Sequence, residues 1–160
     1  MQLMVSLPLI LPDTPLSLDE LEVAVHQWGL AIQQQTLARA WQADAAMRPT
    51  GPCPHCPSHQ HRQIGSKACR IETRFDAVRL ARRRLWCRGC GRHCQPDDAT
   101  LQPLLGAGQC TRSLREIAAQ CGASWPYRQA AQVVTLLRGA PRAVETIRRI
   151  VAETSQTVVG

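Results

Sequence analysis

The sequence has no uninterrupted apolar run of the roughly 18 to 20 residues that a membrane span needs, so a spanning helix is not expected. Its most apolar stretch, residues 1–11, carries no positive charge at its start, is interrupted by Pro8 and runs into Pro12 and Pro15. It offers no small-residue cleavage site and does not read as a secretory signal. Aromatic residues are scarce, at 4% of the chain, which leaves few side chains for stacking on bases. There is no phosphate-binding Gly-Lys-Ser/Thr loop and no Gly-x-Ser-x-Gly elbow. Asp97-Asp98 is the one adjacent acidic pair outside the first helical segment, and no motif supplies a partner carboxylate, so a magnesium site is not expected there. No internal repeat or low-complexity tract is present. A chain lacking these features is expected to do no chemistry alone.

What the chain has is eight cysteines and a strongly localised positive charge. Without a secretory signal, a reducing cytoplasm is the expected compartment, and paired cysteines there favour metal over disulfide. Between Arg62 and Arg92 lie nine arginines and Lys67 against only Glu72 and Asp76, an excess larger than the net +7 of the whole chain. The basic character therefore belongs to one segment.

That segment is bracketed by Cys53-Pro-His-Cys56 and Cys87-Arg-Gly-Cys90. A Cys-x-x-Cys turn aims two sulfurs at one point, and two such turns complete a tetrahedral four-sulfur site with metal–sulfur distances of about 2.3 Å. Cys53, Cys56, Cys87 and Cys90 are thus the candidate ligands of one structural Zn²⁺, with disulfide or free thiols as the alternatives. Four thiolates leave no open position for water, which argues against catalytic zinc. Gly91 gives the second turn backbone freedom, whereas Pro57 in the equivalent place removes an N–H that could otherwise serve a sulfur. His93 and Cys94 are alternative ligands, Cys94 preferably a small buried residue. His55 is expected to point away, and His59 and His61 to be loop residues. Cys69, Cys110 and Cys121 have no partner at metal spacing and are assigned to packing.

Three segments are expected: 1–50, 51–100 and 108–156. Ser17-Leu-Asp-Glu20 is a capping box, followed by Leu21, Val25, Trp28 and Ile32 on one stripe of a helix reaching toward Met47. Gly29 is its weak point and Pro49-Thr-Gly-Pro52 its stop. This helix is a packing or self-associating element. Arg70–Phe75 and Val78–Leu80 alternate as a β-hairpin turning at Asp76-Ala77. Arg82, Arg83 and Arg84 cannot share one side of a strand, so a bulge or a two-sided strand is expected there. In the last segment, Ser113-Leu-Arg-Glu116 is a second capping box for a helix with Leu114, Ile117 and Ala118 inward that ends at Gly122. A second helix follows Ser124-Trp-Pro with Ala130, Val133, Val134 and Leu137 inward and stops at Gly139. Pro141 opens a third with Val144, Ile147, Ile150 and Val151 on one side. Short helices with Gly-containing turns suggest a helix-turn-helix bundle.

The fold class is therefore α+β: an N-terminal helix, a zinc-ribbon-like hairpin with a four-cysteine site, and a helix-turn-helix bundle. Arginine forks pair with phosphate and with guanine edges, so double-stranded DNA is the expected partner. The candidate contacts are Arg70, Arg74, Arg79, Arg82, Arg83 and Arg84, with Arg142, Arg148 and Arg149 on or beside a recognition helix. Arg112 and Arg115 are placed to clamp a backbone near a helix start. Phe75 and Trp86 could stack on bases, but their spacing suits the core. The alternative is a zinc-ribbon module that docks an acidic protein.

The motifs Cys53-Pro-x-Cys56, Thr73-Arg-Phe-Asp-Ala-Val-Arg-Leu80, Arg84-Leu-Trp-Cys-Arg-Gly-Cys-Gly91 and Gln95-Pro-Asp-Asp-Ala-Thr-Leu101 together resemble the N-terminal part of bacterial insertion-sequence (DDE-type) transposases. Ser124-Trp-Pro-Tyr127-Arg-Gln-Ala-Ala loosely matches the turn between that group's helices. The likeness spans roughly residues 53–154. It implies binding of element ends through this region, while strand transfer belongs to a downstream domain whose acidic residues match no position here. The resemblance accordingly implies recognition without catalysis, in a truncated transposase, an N-terminal region or a stand-alone factor.

Overall fold

A computed structural model describes residues 13–138 and 143–158, together with residues 4, 8 and 10. The fold is α+β. Helix α1 (Leu18–Met47) starts at the expected box. The Ser17 hydroxyl accepts from the Glu20 backbone N–H at 3.3 Å, and the Ser17 N–H donates to Glu20 Oε2 at 2.8 Å. Two otherwise orphaned donors are satisfied this way. The Ser17 N–H, with its hydroxyl, holds the Glu20 carboxyl below the usual carboxylate range. Gly29 does not interrupt the helix, which ends at Arg48 before Pro49.

The apolar stripe expected on α1 is not the side that packs on the hairpin. Leu21, Val25 and Ile32 remain exposed, and the opposite side, with Leu37, Ala38 and Trp41, meets the sheet. Gln34 Nε2 donates to the Phe75 carbonyl at 2.7 Å and Trp41 Nε1 to the Ala81 carbonyl at 3.1 Å. The side that packs on the hairpin is set by the C-terminal half, where Gln34 and Trp41 bond its backbone.

Strands β1 (His61–Thr73) and β2 (Asp76–Cys87) form one long antiparallel hairpin. The turn falls at Arg74-Phe75 rather than at Asp76-Ala77, closed by the Thr73–Asp76 pair. Thr73 Oγ1 accepts from the Phe75 N–H at 3.0 Å and donates to the Asp76 carbonyl at 2.7 Å, and Asp76 takes φ +70°. A left-handed residue after a tight turn is one that Asp tolerates better than most. β2 continues unbroken through Arg82–Arg84. The irregularity lies across the ladder, where Ile64 is the extra residue between the Gln63–Leu85 and Gly65–Arg84 pairs.

Short segments widen the sheet: β3 (His93–Cys94) against β2, and β4 (Leu105–Gly106) and β5 (Cys110–Thr111) beyond β1, in the order β3-β2-β1-β5-β4. Helix α2 (Pro96–Leu101) crosses β2. Ile71, Val78, Leu80 and Leu101 form a core that Leu37, Ala38 and Trp41 cover.

A second core lies among α3 (Arg112–Ser124), α4 (Tyr127–Arg138) and α5 (Val144–Val158). Leu114, Ala118, Ala130, Val134, Ile147 and Ile150 are its centre, with Cys110 and Cys121 packed among them as expected. Three local expectations fail. Thr111, not Ser113, precedes α3, and Glu116 pairs with Arg112 at 2.8 Å instead of closing a box. Gly122 lies inside α3, where a Cβ would stand 2.5 Å from Val151 Cγ2, so it serves close helix contact rather than termination. Leu137 is exposed, and Ala131 and Arg138 are buried in α4 instead. Gly139, Pro141 and Arg142 lie outside the described residues.

Candidate metal centre and its basic surroundings

The hairpin returns the chain to its start, pairing His61 with Cys87, and thereby joins the two cysteine turns across the 30 intervening residues. Cys53 Sγ lies 3.7 Å from Cys90 Sγ, and Cys56 Sγ lies 3.6 Å from Cys87 Sγ. All four sulfurs fall within 4.8 Å of one another. Tetrahedral coordination at about 2.3 Å demands sulfur–sulfur separations of about 3.8 Å. The four cysteines thus lie where they could bind one metal ion.

The two turns are built alike. Cys53 N–H donates to the Ser58 carbonyl at 3.0 Å, and Cys87 N–H donates to the Arg92 carbonyl at 2.9 Å. Each sulfur is served by a backbone N–H two residues on: His55 for Cys53, Ser58 for Cys56, Gly89 for Cys87 and Arg92 for Cys90. Pro57 is therefore no defect, because the donor comes from the residue after it. Gly91 adopts φ +66°, the left-handed conformation that the second turn requires. Gly89 packs against Ser58, whose Cβ would lie 2.7 Å from an added methyl group. That contact seats one turn on the other.

The sulfurs are electrostatically unequal. The Cys90 backbone N–H, and behind it that of Gly89, bring the Cys87 thiol down to about 6 against the cost of burial. Ser58 supplies a similar donor to Cys56, but burial and the three neighbouring sulfurs outweigh it and push that thiol up to about 12. Such a cluster holds one thiolate readily and resists a second unless a cation joins it.

Cys94 is buried next to the cluster, and desolvation, with nearby Cys53, raises its thiol. It is not one of the four. His55, His61 and His93 line a neighbouring cleft of about 710 Å³ with Gln95 and Asp98. His93 stands edge-on to Trp86, with ring centroids 4.9 Å apart.

The arginines do not gather on one surface. Arg83 donates from Nε and Nη2 to Asp97 Oδ1 at 3.1 and 2.8 Å, and its backbone N–H reaches Asp97 Oδ2 at 2.6 Å. The Asp97 side chain is fully buried, so this pair is part of the architecture. Arg82 pairs with Asp98 at 2.6 Å. Asp97 and Asp98 thus have cationic partners 14 and 16 residues before them, which the sequence displayed as two adjacent acids following adjacent arginines. Arg70 and Arg79 face each other across the ladder, Arg70 also reaching Glu72 at 3.1 Å. Arg74 caps the turn over Phe75.

The register places Arg62 beside Trp86, Gly65 beside Arg84 and Lys67 beside Arg82. Because side chains alternate along β2, these residues share one face. Arg62, Lys67 and Arg84 on it are exposed and make no ion pair among the described residues, and Trp86 is 37% exposed between them. In the helical part, Arg148 lies exposed between Glu145 and the Tyr127 ring, and Arg149 is exposed near Gly108. Arg112 is paired with Glu116, and Arg115 packs on Gly106. Arg138, unremarked in the sequence, is the most buried cation described; it reaches the Thr73 carbonyl at 2.9 Å, Glu72 at 2.8 Å and Asp76 at 3.1 Å.

No protein-family model matches the chain, and no curated protein matches it.

Proposed function

We propose that this chain is a zinc-stabilised DNA-binding protein whose hairpin lies along the duplex backbone, in the manner of the end-binding region of a transposase without its catalytic domain. The observation that carries the reading is the exposed face of Arg62, Lys67 and Arg84 around Trp86, next to the four-cysteine cluster. Zinc suits an all-sulfur tetrahedron, and it would hold the base of this face rigid. Cations fixed on a rigid strand neutralise phosphates with little ordering cost, and an exposed indole offers a stacking surface. The three C-terminal helices, with Arg148 and Arg149 outward on α5, fit a helix-turn-helix reader beside it.

Fluorescence anisotropy with a labelled duplex tests this. The logarithm of affinity should fall with the logarithm of salt by about 0.9 per phosphate contacted. Replacing Arg62, Lys67 and Arg84 together with Ala should lower that slope by roughly 2 to 3 while the metal stays bound. No binding to duplex at low salt would overturn the proposal, and an unchanged slope in the triple variant would move the interface off this face.

A further inference from the structure

Helix α1 is apolar on two opposite sides. The side with Leu37, Trp41 and Ala45 covers the hairpin. The other carries Leu18, Leu21, Val25, Trp28 and Ile32 at intervals of three and four residues, the spacing of a helix–helix seam. Leu18 at 73%, Val25 at 60%, Ile32 at 44% and Leu21 stay exposed, and Trp28 is half-buried.

We propose that this seam pairs with the same seam of a second copy, in antiparallel orientation. The stripe is close to symmetric about Val25: Leu18 and Ile32 lie seven residues to either side, and Leu21 and Trp28 four and three. A two-fold axis at Val25 therefore sets Leu18 against Ile32 and Leu21 against Trp28, the self-complementarity an isologous interface requires. Ala24, Gly29 and Ala31 flank the stripe with short side chains, so the two backbones can approach. Charge selects the direction. Parallel pairing would set two positive helix ends side by side. Antiparallel pairing separates them by the length of the seam.

Sedimentation equilibrium of the whole zinc-loaded chain tests the state of association. The mass should rise from 17.7 kDa to twice that value across the micromolar range. Leu18→Glu, at the most exposed position, should weaken association at least about tenfold. Val25→Glu should do the same, with metal content and circular dichroism unchanged in both. A monomer at every concentration, or a dimer indifferent to both substitutions, overturns the proposal. Benzoylphenylalanine at position 21 then reads direction: cross-links near residue 28 of the second copy support the antiparallel seam, and cross-links near residue 21 overturn it.

Discussion

The two ends of the hairpin are the same pair of strands held by different means. Toward the turn, Ile71, Val78 and Leu80 are buried under α1, and Arg138 from α4 enters the turn itself. Toward the cysteines, β1 is exposed at every residue from Arg62 to Ala68, and apolar cover is thin. There the strands converge on four sulfurs. Apolar burial thus supports one end, and a four-cysteine cluster that could take one metal ion closes the other. The lesson is that a basic, poorly covered ribbon can be kept in shape without a core of its own when its open end is clamped.

The strongest way to break this comparison is to remove the clamp. Chelation of the metal, or Cys87→Ser, should abolish metal binding and erase amide protection at 61–66 and 84–88, while 69–80 retain theirs in hydrogen exchange. Equal loss along both strands would mean the ends are one cooperative unit. Acid should act in the same direction as chelation. Thiolate is the ligand, so affinity falls as the pH drops, and more steeply below about 6, where Cys87 also takes up a proton.

The complementary experiment attacks the other end. Arg138→Met removes the cation that Thr73, Glu72 and Asp76 share in a buried setting, and should cost about 3 to 5 kcal/mol by denaturant unfolding. Metal stoichiometry should not change. A smaller, sharper effect is expected from Ser58→Pro, which deletes the donor that serves Cys56; competition with a chromophoric chelator should show metal affinity lowered about 10- to 100-fold. The smallest effect belongs to neither end. Ser17→Ala removes the α1 cap and should cost about 1 kcal/mol in the thermal transition, with metal affinity unaltered.

What could be read from the chain was whatever depends on neighbours a few residues apart. The Ser17 box, the hairpin and the two cysteine turns follow from local spacing, and each is present. What could not be read depends on meetings between distant segments. The buried side of α1 is fixed by where Trp41 finds the Ala81 carbonyl, forty residues on. Thr111, set beside Leu105 in the β4–β5 pairing, displaced the cap expected at Ser113. The arginines were legible as charge but not as partners. Asp97 and Asp98 withdraw Arg83 and Arg82 from a surface on which composition alone would place them.

Asp97 also has a consequence for the company this protein keeps at high concentration. A long two-stranded ribbon invites a foreign strand to add to either side. On β2 the Asp97 carboxylate occupies the Arg83 backbone N–H that an incoming carbonyl would need. On β1 the ladder is broken at Ile64, and Gly65 follows at φ +136°. One flank is blocked chemically and the other is made uneven, so the same surface can stay open to a ligand while refusing aggregation by strand addition.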